Sequence, residues 1–259
     1  MLTRSGAQID VVGDVVHKLH RAGTDPRALT VRLRAATRLA GPGPGCLLAP
    51  LRDHPDPVGD RWRTRWPRVE TVAQEPDRLP WVAAARLLAT LHAEPPLGPE
   101  RRLPHGWPAR LRRSVGRARR LGGGVVYAAA AALPDAAWRA GSADRPAVLV
   151  HGDWHLGQLG RRTPDSPWLL IDIDDLGVGD PAWDLARPAG FWAAGLIPDA
   201  DWAAFLDAYR DAGGVALPAA PADPWPVLEP FARAAVVHAA ANRPDDDLLL
   251  AACARMVTR

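Results

Sequence analysis

The sequence predicts an α+β fold in which short antiparallel strands are gathered in residues 1–75 and helices dominate residues 76–259. Three observations carry that expectation. Two β-branched runs within Asp10-Val-Val-Gly-Asp-Val-Val-His-Lys-Leu-His20 are joined by Gly13-Asp14, the composition of a hairpin. Arg61-Trp-Arg-Thr-Arg-Trp-Pro-Arg-Val-Glu70 alternates Arg with aromatic or small residues, the period of a half-exposed strand. Trp81-Val-Ala-Ala-Ala-Arg-Leu-Leu-Ala-Thr-Leu-His92 is a strong helical segment.

The remaining elements follow in order. After the hairpin, Thr24/Asp25-Pro26 is a helix start, and Leu29, Leu33 and Ala36 then form one apolar stripe up to Leu39. A Gly/Pro loop from Gly41 to Gly45 ends that helix, and Pro76 to Pro80 break the chain at the boundary between the two parts. The Arg-dense tract from Arg101 to Arg120 has the spacing of the wet face of a helix. Trp168 to Ile171 is an apolar run bounded by polar residues, the pattern of a buried strand. Trp183, Phe191, Trp192 and Trp202 fall on helical segments. Asp245-Asp-Asp247 follows Pro244 and starts the last helix, where carboxylates complement the helix dipole.

Composition excludes several classes. With 259 residues, 47% of them hydrophobic, the chain buries one good core or two small lobes. No stretch approaches the ~18 apolar residues of a membrane span, and the N-terminus lacks the apolar core of a signal peptide. Cys46 and Cys253 show neither ligand spacing nor a disulfide framework, which fits a reducing cytoplasm. The Arg101–Arg120 tract lacks interleaved aromatics beyond Trp107, so neither nucleic acid nor membrane is an expected partner. Charge is unevenly shared: residues 1–150 hold 24 Arg/Lys against 13 Asp/Glu, net +11, and residues 151–259 hold 8 against 16, net −8. A basic half suits nucleotide phosphates, and an acidic half would attract a cationic acceptor.

The chemistry is concentrated in His151-Gly-Asp-Trp-His-Leu-Gly-Gln158, followed by Leu169-Leu-Ile-Asp-Ile-Asp-Asp175. Phosphoryl transfer uses one carboxylate to orient and deprotonate the attacking hydroxyl, and an amide oxygen with a second carboxylate to hold Mg²⁺ on the nucleotide phosphates. An Asp with an amide five residues on is the spacing of the protein-kinase catalytic loop, and Asp172 falls where the metal-binding Asp follows. Arg supplies every positive side chain but one, and the exception, Lys18, lies on the second run of the hairpin. An ammonium is a compact point charge suited to phosphates in a way that Arg does not reproduce.

These residues resemble the aminoglycoside phosphotransferase and choline kinase superfamily. Its signature runs His-Gly-Asp, then an amide, then Ile-Asp, then Gly-Asp-Pro-x-x-Asp-Leu-Ala, here Gly179-Asp-Pro-Ala-Trp-Asp-Leu-Ala186. The resemblance implies a two-lobed protein-kinase-like fold, with a shortened antiparallel-β N-lobe at 1–75 and a mainly helical C-lobe at 76–259. It implies Asp153 as catalytic base, Gln158 and Asp172 as metal ligands, and His151 and Asp184 as structural support of the catalytic loop. Gln158 departs from the usual Asn and resembles the maltokinase and glucosamine-kinase branch. Lys18, Ser5, Gly6, Pro67 and Val69 correspond to nucleotide contacts, and His155, Asp174 and Asp175 to acceptor contacts.

Two further departures bear on activity. Only Met1 to Gln8 precede the hairpin, so the first strand of the family is expected to be missing or vestigial, with Ser5-Gly6 the remnant of its phosphate-covering loop. The helix at 25–39 contains no Glu to pair with Lys18, leaving Asp10, Asp14 and Glu70 as substitutes. The implied reaction moves the γ-phosphoryl group of ATP or GTP, with Mg²⁺, to a hydroxyl of an aminoglycoside, amino sugar or sugar. A catalytically silent kinase-fold binding protein is the alternative. A metal-dependent phosphohydrolase is another, though it would need ligands beyond positions 151–155 that the eight His of the chain do not supply in any comparable motif.

Overall fold

The computed structural model describes residues 6–41, 45–72 and 79–258. In chain order the elements are β1 (Gln8–Val12), β2 (Val15–Leu19), α1 (Pro26–Leu39), β3 (Asp56–Val58), β4 (Arg61–Pro67) and β5 (Glu70–Thr71). There follow α2 (Trp81–Ala93), α3 (Trp107–Arg120), α4 (Gly124–Ala131), β6 (Val148–Val150), β7 (Leu159–Arg161), β8 (Leu169–Leu170) and β9 (Gly177–Gly179). The chain closes with α5 (Ala182–Ala193), α6 (Asp199–Asp211), α7 (Trp225–Asn242) and α8 (Asp247–Val257). The chain divides into two compact units: Met1–Pro80 with Leu97–Leu103 and Leu156–Asp174, and Trp81–Pro96 with Pro104–His155 and Asp175–Arg259. No helix among the described residues is long and apolar enough to cross a membrane.

In the first unit a four-stranded antiparallel sheet runs in the order β1-β2-β4-β3. The predicted hairpin forms with Val12 opposite Val15, and Gly13 takes the positive φ of 58° that the first residue of so tight a loop demands. β2 is internal, with Lys18 opposite Ile9 on one side and Thr64 on the other. Helix α1 begins where Asp25 accepts from Arg27 N at 2.9 Å, with Pro26 as its first residue. It buries Leu29, Leu33, Ala35, Ala36 and Leu39, the predicted stripe with two additions. Its Arg38 pairs with Glu100 at 2.8 Å.

Residues 156–174 pack with the first unit. Backbone pairing is the reason. β5 pairs with β7 and β7 with β8, making a three-stranded sheet, and Leu48 N donates to Leu170 O at 2.9 Å. Gly160 in β7 permits the close approach of Val69, because a Cβ there would meet the Val69 side chain at 2.6 Å.

The second unit is mainly helical. Trp107 and Trp183 stack at 5.1 Å, Phe231 meets Trp183 edge-on at 4.9 Å, and the two Trp side chains are almost wholly buried. Gly190 lets α5 lie directly on α7, since a Cβ would meet Ala232 O. Asp246 caps α8 by accepting from Leu249 N at 3.2 Å, with Asp247 in its first turn, as the acidic trio predicts. The short pair β6–β9 places Val150 opposite Gly177 and fixes the chain that enters the catalytic motif.

Candidate active site

Gln158 and Asp172, the residues expected to hold metal, are brought together by strand register. Leu159 lies opposite Leu170 in the β7–β8 hairpin, and Ile171 N donates to Gln158 O at 2.9 Å. Gln158 and Asp172 therefore leave the same end of the hairpin as near neighbours. Asp172 is the one non-glycine residue with positive φ (62°) among those described, a strained conformation of the kind held at functional sites. Amide and carboxylate oxygens are hard donors suited to Mg²⁺, which usually takes one or two protein carboxylates and fills its octahedron with phosphates and water. Among the described residues no group of three or more His, Cys, Asp or Glu is placed to hold a metal by itself.

Lys18, buried in β2, reaches Asp172 Oδ1 at 2.6 Å and Asp174 Oδ2 at 2.9 Å. These are its carboxylate partners, in place of the substitutes weighed from the sequence. Asp10 accepts from Gln8 and Glu70 pairs with Arg161. Burial opposes the ammonium charge, but Asp174 and Asp172 outweigh it and raise the Lys18 pKa. Burial likewise opposes the Asp174 carboxylate, yet Lys18 and His20 hold it well below the usual range. His20 Nδ1 stands 3.5 Å from Asp174, and its Nε2 meets Thr64 Oγ1 at 2.9 Å.

In the second unit, Asp153 is gripped by two arginines. Arg110 on α3 pairs with both Asp153 and Asp175, and Arg187 on α5 reaches the same Asp153 Oδ1 at 3.0 Å. The loop that presents Asp153 is tied down by fully buried Asp184. It accepts from His151 N at 2.6 Å and Gly152 N at 2.9 Å, and faces His92 Nε2 at 3.1 Å. Burial would raise the Asp184 pKa, but His92, His151 and the Gly152 amide lower it overall. Gly152 is obligatory here: its φ is 81°, and a Cβ would run into Asp175 O. His92 is held in turn by Tyr209 Oη at 2.8 Å.

The other expected site residues fall as follows. Ser5 lies outside the described residues. Gly6 has φ 83° and its carbonyl accepts from Arg61 at 3.3 Å. Pro67 ends β4 opposite Val15, and Val69 packs beside Gly160. His151 is buried behind the loop and His155 is half-buried. Asp174 and Asp175, expected beside the acceptor, are each paired with a cation, Lys18 and Arg110 respectively. Trp183 and Trp202 are core side chains. A cavity of about 500 Å³ in the second unit, bordered by Trp192, Trp225, Glu229 and Arg233, includes none of the predicted site residues.

Sequence reasoning missed Arg110, Arg187 and His20. Arg110 belongs to the tract expected to be a solvated helix face, and most of that face is exposed. Arg110 is the exception, with a side chain only 14% exposed. Arg187 directly follows the Asp-Leu-Ala of the motif, one helical turn after Asp184, which is a usable signal.

The fold defines the class first. Solved structures that share it include an aminoglycoside phosphotransferase from Streptomyces rimosus, with 19% identity, TM-score 0.60, and 92% of this chain and 91% of that one covered. A choline/ethanolamine kinase family protein from Mesorhizobium loti matches at 18% identity and TM-score 0.51, covering 98% and 91%. Spectinomycin phosphotransferase, solved with ADP and spectinomycin, matches at 14% identity and TM-score 0.57, covering 97% and 84%. The chain thus has a kinase-like fold. No curated protein sequence matches it. The profile of the phosphotransferase enzyme family matches residues 59–231, and the chain belongs to that family.

Proposed function

We propose that the protein is a Mg²⁺-dependent O-phosphotransferase that moves the γ-phosphoryl group of ATP or GTP to a hydroxyl of a small sugar-like molecule. The class of acceptor expected from the sequence spans amino sugars, aminoglycosides and sugars. In this reading residues 1–75 supply the nucleotide-binding strands and helix. Residues 76–259 supply the catalytic loop, the metal ligands and the acceptor-binding helices, and the protein works in the cytoplasm.

The observation that carries the reading is the Gln158–Asp172 pair at one hairpin end, with the chain's sole lysine on Asp172. Lys18 supplies a point charge for nucleotide phosphates, with Gly6, Pro67 and Val69 bordering the nucleotide. Gln158 and Asp172 would hold Mg²⁺, which neutralises charge on the phosphates when bound. Asp153 orients the acceptor hydroxyl and takes its proton as the oxygen attacks the γ-phosphorus. The bond to the β-phosphate oxygen then breaks and nucleoside diphosphate leaves. Asp184 and His151 keep the loop in place.

Acceptor-dependent release of nucleoside diphosphate from ATP and GTP, with Mg²⁺ and an acceptor panel, tests this. Release abolished in Asp153→Asn supports it, and release indifferent to that substitution removes the role given to Asp153. A catalytically silent nucleotide-binding protein is the second reading, favoured by the two guanidiniums on Asp153. It predicts nucleotide binding with no release for any acceptor.

A further inference from the structure

Arg110 and Arg187 match Asp153 and Asp175 in charge, but they share the carboxylate oxygens unevenly. Arg110 divides itself between the two carboxylates, and Arg187 shares with it a single Asp153 oxygen. Both guanidiniums lie over the Trp107 ring, 5.6 Å and 5.9 Å from its centroid. Arg113, Arg117 and Arg243 stand near enough to add to the field: Arg243 acts on Arg187, and Arg117 and Arg113 act on His238. Of these, Arg117 donates to Asn242 Oδ1 at 3.0 Å and Arg243 reaches Asp246 at 3.8 Å. His238 adds no charge near neutral pH, because burial and then Arg187, Arg110, Arg117 and Arg113 push its pKa to about 3.

Arg187 is the cation this arrangement satisfies least. A guanidinium has five donors in a planar fork matched to two oxygens of one oxyanion. Among the described residues its carboxylate partner is the one Asp153 oxygen already taken by Arg110. Burial, with repulsion from Arg110 and Arg243, outweighs the help of Asp153 and lowers the Arg187 pKa.

We propose that Arg187 and Arg110 recognise an oxyanionic group, carboxylate or phosphate, on the molecule whose hydroxyl is phosphorylated. The inference rests on the phosphotransferase reading and narrows its acceptor. A polycationic acceptor would bring ammonium groups against two guanidiniums beside Asp153, and like-charge juxtaposition at a binding face is a strong means of rejection. An anionic acceptor does the opposite. Its oxygens replace Asp153 on the fork of Arg187, charge stays balanced, and Asp153 is released to accept the hydroxyl proton. The side chains are 14% exposed at Arg110, 20% at Arg187 and 28% at Asp153. They are open enough for a ligand to reach, yet desolvated enough for charge-assisted hydrogen bonds to exceed surface pairs. Both arginines stand on helices, so the fork is held by rigid elements.

The test uses the intact protein and probes that differ mainly in charge: glucose, glucosamine, gluconate, glucose 6-phosphate and an aminoglycoside. Acceptor-dependent diphosphate release is measured with each. In parallel, calorimetry follows gluconate binding to the nucleotide-loaded protein. The anionic probes are expected to show the higher kcat/KM. Arg187→Gln is expected to raise their KM by about 10–100-fold with a smaller change in kcat, and Arg187→Lys to recover part of the loss. Preference for glucosamine or the aminoglycoside overturns the oxyanion site while leaving the phosphotransferase reading intact. Gluconate binding that depends on Arg187, without release from any probe, overturns the phosphotransferase reading and with it the acceptor role of the site.

Discussion

The two units carry part-buried charge clusters of opposite pattern. In the first, one ammonium, Lys18, is surrounded by two carboxylates, Asp172 and Asp174. In the second, one carboxylate, Asp153, is surrounded by two guanidiniums, Arg110 and Arg187. The first arrangement leaves negative charge to spare, the condition for receiving a divalent cation with its phosphates. In the second, charge is matched once Asp175 is counted, but the fork of Arg187 meets only an Asp153 oxygen that Arg110 already holds.

Breaking the second arrangement at its centre should have the largest effect. Asp153→Asn keeps the shape and removes the base, and is expected to lower kcat by about 10²–10⁴-fold. Steady-state assays check this against nucleotide affinity by calorimetry, and a loss below tenfold contradicts the role of Asp153. Asp184→Ala attacks the scaffold behind it, taking the shared acceptor away from two backbone amides and from His92 Nε2 in a sealed site. Urea denaturation should show a loss of about 3–5 kcal/mol. Asp184→Asn, which keeps an acceptor oxygen, should cost less.

The first arrangement is sharpened by Lys18→Met, which removes the ammonium that Asp172 and Asp174 share. Nucleotide Kd is expected to rise by about 10–100-fold. An unchanged Kd would separate Lys18 from the nucleotide and restrict it to holding Asp172.

A pH dependence of stability belongs to the second unit. His105 and His238, both in the second unit, have pKa values lowered to about 4 and about 3, chiefly by burial. The unfolded chain binds protons near the ordinary histidine pKa of about 6.5, so it takes them up before the folded protein does. Stability is complete above that pH and falls as pH drops through the window from about 6.5 to about 4, by about 3 kcal/mol for His105 alone. Denaturation midpoints measured across this range should decline, and His105→Gln should flatten the slope. A pH-independent midpoint in the unsubstituted protein contradicts a buried neutral His105.

Local pattern carried much of this protein. The hairpin turn at Gly13-Asp14, the Asp25 cap, the stripe of α1, helix α2 and the acidic start of α8 all rest on interactions within a few residues, which sequence spacing reports directly. The bracing of the 151–153 loop by Asp184 was equally legible, because these residues lie close along the chain and Asp184 ties back onto the loop. Only the tertiary structure decided what lies across from them. Lys18 meets Asp172 over 154 positions of sequence, a pairing that the missing helix Glu left open. The segment 156–174 joins the first unit because backbone groups of β5 and β8 complete the hydrogen bonds of β7, and no local pattern encodes a strand's partner. Arg110 looks in sequence like any other arginine on a wet helix face. Its inward turn depends on Asp153 and Asp175 arriving opposite it, and charge pairing at that range belongs to the folded chain alone.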